Sequence, residues 1–139
     1  MVIGEKLWEG RAKTMGMAIK GANADGVSME YTWTAQVKGM GKAKGVDGNI
    51  IFTGMTLISP TGGGGTKGTG MFNTMTGDMA VIKGSGYGKP EGGKGKGVGI
   101  WNFMTMSQKL AWMNMTVAIT TQEGDPQLNE FDLVVWEWK

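Results

Sequence analysis

Between residues 27 and 38 the chain alternates without a break. Val27, Met29, Tyr31, Trp33, Ala35 and Val37 interleave with Ser28, Glu30, Thr32, Thr34, Gln36 and Lys38. Successive side chains of a strand point to opposite faces, so this run predicts a long strand buried on one side. The odd positions face the core. Continuing the same parity places Gly39, Gly41 and Ala43 inside and Lys38, Lys42 and Lys44 outside.

Further strands are expected over 6–17, 49–59, 67–75, 79–88, 96–106, 115–121 and about 128–138. Pro60 and the glycines 62–65 read as a loop, Thr76-Gly77-Asp78 as a hairpin turn, and Gly124-Asp125-Pro126 as a turn into the last strand. Residues 89–93 make another connection. Only 107–113 has helical character, one or two turns at most, with Ser107 as its cap and Lys109-Leu110-Ala111 as good helix formers. Parallel strands need long crossovers, and these connections are short. The expected fold class is therefore all-β: an antiparallel up-and-down barrel of about eight strands, formed by 1–139 as one domain. Closure removes exposed edges. A sandwich is the alternative.

One motif recurs on this frame. K-G-x-G occurs at Lys38-Gly39-Met40-Gly41, Lys67-Gly68-Thr69-Gly70, Lys83-Gly84-Ser85-Gly86 and Lys96-Gly97-Val98-Gly99. On a strand each quartet sets two glycines on one face and a lysine on the other. Inward go Gly68, Gly70 and Phe72; Ile82, Gly84, Gly86 and Gly88; Gly97, Gly99, Trp101 and Phe103. Each strand then has a bare half and a filled half. The outward set is Met71, Met75, Val81, Tyr87, Val98, Ile100, Met104 and Met106, too apolar for a solvated face. It is expected to be covered or to join copies of the chain, with Met71, Val81, Val98, Ile100 and Met104 as the homo-oligomer contact.

Composition narrows the chemistry. With 40% hydrophobic and 19% charged residues the chain is globular. Its 26 glycines among 139 residues far exceed the usual share of about 7%. Cysteine and histidine are both absent, which excludes disulfides, thiolate zinc sites and imidazole acid–base catalysis. Net charge is +2, and Arg11 is the lone arginine among 14 basic residues. Nucleic-acid binding favours a concentrated basic patch and bidentate arginines, so no nucleic-acid partner is expected. No apolar run approaches the length of a membrane-spanning helix and the N-terminus lacks the pattern of a signal peptide, so a cytoplasmic location and no membrane association are expected.

The remaining motifs carry little chemistry. Gly62-Gly63-Gly64-Gly65-Thr66-Lys67 has the residues of a phosphate loop but no helix follows it. The pairs Met15/Met17, Met104/Met106 and Met113/Met115 could offer thioethers to Cu(I), but adaptable core filling is the ordinary role of methionine. No metal and no cofactor is expected. Glu30 faces outward. Asp47 and Asp78 sit in turns that they shape. Glu137 is expected to be solvated beside Lys139. The aromatic residues Tyr31, Trp33, Phe72, Trp101 and Phe103 share the expected interior. They are the candidate site for a small apolar or aromatic ligand, because an interior with so many glycines is incompletely filled.

The stretch Ser107-x-Lys109-Leu110-Ala111-x-x-Asn114, the ending Trp136-Glu137-Trp138-Lys139 and the upstream Gly84-Ser85-Gly86-Tyr87-Gly88 resemble a family of small uncharacterised prokaryotic proteins. That family has an S-x-K-L-A segment and a closing W-E-W-K, and the resemblance covers mainly the last 60 residues. It implies no activity. The glycine-rich all-β organisation is more distantly similar to barrels of the allene oxide cyclase and dirigent type. That resemblance implies a cavity for an apolar or phenolic ligand, often in oligomers, and a cofactor-free cyclase or isomerase as one function.

Overall fold

The computed structural model describes residues 2–139. Eight antiparallel strands follow one another around a closed barrel: β1 (Ile3–Asn23), β2 (Gly26–Gly39), β3 (Gly48–Ile58), β4 (Gly64–Thr74), β5 (Met79–Glu91), β6 (Lys94–Met104), β7 (Val117–Gly124) and β8 (Glu130–Trp138). β8 pairs with β1 and completes the wall, so the sandwich alternative does not apply. Among the described residues no helix is long and apolar enough to cross a membrane.

Several boundaries differ from the sequence reading. The β5–β6 connection shrinks to Gly92-Gly93, both at positive φ (61° and 77°), a two-residue hairpin turn whose handedness matches the strand twist. Residues 89–91 are therefore strand. Gly64 and Gly65 likewise belong to β4, not to the preceding loop. β1 runs 21 residues. Its partnership with β8 stops at Lys13, while its pairing with β2 continues to Asn23. The β1–β2 hairpin thus overhangs one end of the barrel.

The first K-G-x-G copy does not stay in a strand. β2 ends at Gly39, whose N–H donates to Asp47 Oδ1 at 2.8 Å. Gly41 then turns to φ 56° and begins a short 3-10 turn over Gly41–Ala43. Gly41 is exposed rather than inward, while Ala43 is buried. The expected helix over 107–113 is also displaced. A 3-10 turn forms at Ala111–Met115, and Leu110 at its N-terminus makes no side-chain cap. Ser107 does not cap it, because its hydroxyl donates to Asp78 Oδ1. Asn114 instead brackets the Thr105 backbone, accepting from its N–H at 2.9 Å and donating to its carbonyl at 3.1 Å. These bonds draw the segment across the barrel end, where Leu110 and Met113 are buried.

That end is plugged. Trp8 stacks on Trp112 at 5.8 Å and meets Phe72 edge-on at 5.4 Å. The Trp8 indole N–H donates to the Val46 carbonyl at 2.8 Å, so a polar group buried with the ring keeps a partner. Leu7, Ile50, Ala80, Leu133 and Val135 fill the space around these rings. The opposite end carries the overhanging hairpin, the 59–63 loop, the Gly92-Gly93 turn and the 125–129 loop.

Candidate functional site

The strand register explains the glycine repeat. Along the interior Tyr31, Gly54, Gly68, Gly84 and Trp101 lie side by side on five successive strands. The next interior row toward the open end holds Met29, Thr56, Thr66, Gly86, Gly99 and Thr120. Beyond it come Ile58, Gly64, Gly88, Gly97 and Gln122. The glycines of three quartets are therefore neighbours in space. They strip side chains from one continuous patch of the β4–β6 wall.

Below that patch lies an aromatic floor. Trp33 and Phe52 are 5.3 Å apart, Trp33 and Trp101 6.2 Å, and Phe52 and Trp101 6.1 Å, with planes within 13–18° of parallel. A column of three rings would separate its outer pair by about twice the inner spacing. Three similar separations instead describe a compact cluster of parallel-displaced rings, each partly overlapping the other two, and all three are buried. Phe131 stands edge-on to Trp33, and Phe103 edge-on to Trp101. Bare wall makes this packing possible. A methyl built on Gly68 would lie 2.5 Å from Phe52 Cε1, on Gly70 2.8 Å from Phe52 Cδ2, and on Gly84 2.7 Å from Trp101 Cδ1. The rings rest where side chains would otherwise be.

Above the floor an open cavity of about 590 Å³ extends to the barrel mouth. Its polar groups are mostly uncharged. The Thr56 and Thr66 hydroxyls share a hydrogen bond of 2.7 Å. Tyr31 leans across Gly54, with its hydroxyl 2.8 Å from where a Gly54 methyl would sit. Burial raises the Tyr31 pKa above its ordinary value, and hydrogen bonds to Thr66 and Thr56 offset this in part. Tyr31 therefore stays a neutral donor at physiological pH. Among the described residues no carboxylate lines the cavity. The one charged lining residue, Lys89, already pairs with Glu91 at 3.1 Å. At the mouth Leu128 holds a left-handed backbone (φ 53°), uncommon for a branched residue, and its side chain borders Gly88 and Gly95.

Of the five aromatic residues expected to form the site, Tyr31, Trp33 and Trp101 line this cavity. Phe72 and Phe103 lie deeper, against Trp8, and do not reach it. Phe52 and Phe131 take part instead. Phe52 lies in the run Ile50-Ile51-Phe52, where consecutive apolar residues hide the face of the strand. The threonine pair was legible only once the β3–β4 register was known.

Glu137 corrects the expectation of a solvated side chain. It continues the inward parity of Leu133 and Val135 and is buried near the plugged end. The Lys42 ammonium donates to its Oε2, and Oε1 has no partner among the described residues. The hydrogen bond and charge of Glu137 push the Lys42 pKa up. Glu5 Oε1 accepts the Lys42 backbone N–H at 2.9 Å, so this pairing fastens the 3-10 turn at Gly41–Ala43 to β1 and β8. Glu30 lies on the outer face of β2. Asp47 and Asp78 both organise turns. Asp78 accepts from Ser107 and Thr76, and these bonds lower its pKa.

The fold has known counterparts. A protein of unknown function from Clostridium acetobutylicum superposes with a TM-score of 0.83 at 14% identity, covering 100% of both chains. A β-barrel-like protein from Acinetobacter baumannii AYE gives 0.81 at 15% identity over 99% of this chain and 96% of its own. A protein described as an enzyme from Penicillium herquei gives 0.71 at 16% identity over 96% and 92%. These likenesses establish a shared fold. No protein-family model matches the chain, and no curated protein matches it significantly by sequence.

The outside of the barrel is also unusual. Ile51, Met55, Leu57, Met71, Tyr87, Val98, Ile100 and Met104 occupy neighbouring outward positions on β3–β6, all more than a third exposed. Val81 among them is half-buried. Nothing within the described chain covers this face.

Proposed function

We propose that the protein is a small-molecule carrier or sensor that binds an apolar or aromatic ligand in the open half of its barrel. The observation that carries this reading is the pairing of an apolar aromatic floor with a wall kept bare by aligned glycines. A barrel built only for stability would fill that volume, since interiors pack to near-crystalline density. The cavity volume also falls within the usual range of ligand pockets, about 300–1,000 Å³. Native mass spectrometry of protein purified from its source tests the reading. A retained small molecule is expected, and Gly88→Leu should lose it by filling the mouth. Retention by Gly88→Leu would count against the cavity as its place.

A cofactor-free cyclase or isomerase would use the same cavity, with Tyr31 as its donor, and a structural neighbour is described as an enzyme. Binding remains the better supported reading, because no base accompanies Tyr31 among the described lining residues.

The outer apolar face favours self-association. Its eight side chains are each more than a third exposed and lie on four adjacent strands, a contiguous apolar patch of the kind that marks an interaction site. A second copy of this chain is the proposed occupant. Solution mass should exceed that of a monomer, and Ile100→Glu should return it to monomer. A monomeric wild type at high concentration refutes this.

A further inference from the structure

The mouth of the barrel is lopsided, and a strained residue stands on its low side. We propose that Leu128 is the gate of the cavity, the side chain that a ligand must displace to enter or leave. The gate rests on the binding reading above and adds the route to the site.

The shape of the rim follows from the strand register. β8 begins at Glu130, which pairs with Lys13, whereas β1 runs on beside β2 to Asn23. β7 ends at Gly124. The wall is therefore tall at the β1–β2 hairpin and short at β7 and β8, where the 125–129 loop bridges the strands. Met17 and Ile19 lie directly opposite Tyr31 and Met29, so they share the inward face of the tall side. They are nonetheless 51% and 70% exposed, because the facing wall is too short to cover them. An apolar ramp thus leads down to the loop, and Met17 continues into the cavity lining.

Leu128 crosses that low side. It is half-buried between exposed neighbours, and its side chain reaches the cavity. A methyl built on Gly95 would lie 2.8 Å from Leu128 Cγ, so the side chain uses space that a glycine leaves free. The backbone is costly here, since φ 53° crowds the Cβ of an L-residue against its own carbonyl. Hydrogen bonds on both sides hold it there. The Leu128 N–H donates to the Asp125 carbonyl at 2.9 Å, and the Thr14 hydroxyl donates to the Leu128 carbonyl at 3.0 Å. The Asn129 N–H donates to Asp125 Oδ1 at 2.7 Å, and the Thr14 N–H donates to the Asn129 carbonyl at 2.7 Å. Such strain persists only where the surroundings over-determine it, and it concentrates at ligand clamps and switches. Glycine would adopt the same backbone without that cost. What leucine adds is a branched side chain held over the way into the cavity.

A gate and a contact differ in kinetics. Losing a contact speeds dissociation and weakens affinity. Losing a gate speeds entry and exit alike and leaves affinity nearly unchanged, because the barrier alone is lowered. Stopped-flow fluorescence of the full chain with the neutral apolar probe N-phenyl-1-naphthylamine separates the two. Leu128→Gly, which suits the left-handed backbone, should raise the association and dissociation rates together by about fivefold or more, with Kd within about threefold of wild type. Leu128→Phe, with a larger side chain at the same place, should slow both. Unchanged rates in Leu128→Gly overturn the gate, and so does a faster dissociation with an unchanged association rate. The cavity reading survives either result if Gly88→Leu abolishes probe binding. Binding that persists in Gly88→Leu, or no binding to the wild type, overturns the gate and the cavity reading together.

Discussion

Two alanine substitutions in one strand separate the two jobs of the repeated glycines. Gly84 and Gly88 both face inward on β5 and neither has positive φ. Replacing glycine by alanine in compatible backbone stabilises by about 0.4–1 kcal/mol, chiefly through the unfolded chain. This contribution is common to both sites and cancels in the comparison. What differs is the space. At Gly88 the new methyl would meet the Lys96 carbonyl at 3.5 Å and Leu128 Cδ1 at 3.9 Å, ordinary contact distances. At Gly84 it would lie 2.7 Å from Trp101 Cδ1 and 3.0 Å from Nε1, inside the floor. A large packed ring must then move, and overpacking of this kind costs about 1–3 kcal/mol. Gly88→Ala should therefore be as stable as wild type or up to about 1 kcal/mol more stable. Gly84→Ala should fall below Gly88→Ala by about 1–3 kcal/mol. For a domain of this size that separation is roughly 3–12 °C in Tm. Urea unfolding monitored by tryptophan fluorescence measures both. Equal stabilities would refute the claim that the quartet glycines seat the aromatic floor.

Other residues give independent tests. Lys42 has a raised pKa in the fold, so its pairing with Glu137 contributes fully below the ordinary lysine value of 10.5 and is lost as pH rises through the raised value. Lys42→Met should be less stable than wild type at neutral pH in thermal melts, with the gap closing only in strong alkali. Asp78 has a lowered pKa, so its bonds to Ser107 and Thr76 stabilise above its ordinary value of 3.8 and are lost as pH falls through the lowered value. Ser107→Ala should lower Tm at pH 7, and the difference from wild type should shrink in acid. Phe52→Ala removes one ring of the floor and should cost about 3–5 kcal/mol in denaturant unfolding, as for other buried aromatics.

The alternating run over 27–38 made β2 legible because its core face is apolar and its outer face polar at every step. The interior parity of Gly68, Gly84, Gly86, Gly97 and Gly99 followed from strand geometry alone, and so did the apolar outer face of β4–β6. What failed depended on long-range contacts. Gly39 ends β2 because Asp47 takes its N–H, so Gly41 leaves the interior. Ser107 is taken by Asp78, so no helix is capped there. Glu137 carried a readable signal, since Phe131, Leu133 and Val135 set an inward parity that reaches it. The neighbouring Lys139 suggested solvation instead. The division of the interior into plugged and open halves needed the crossing segment that ends in Ala111–Met115, whose placement rests on Asn114 bridging to Thr105.

A crystal structure of the protein purified from its source tests the central claim most directly. The account predicts a small apolar or aromatic molecule in the open half of the barrel, above Trp33, Phe52 and Trp101 and beside the glycines of β4–β6. A barrel whose open half is filled by its own side chains, with no molecule bound there, would contradict it.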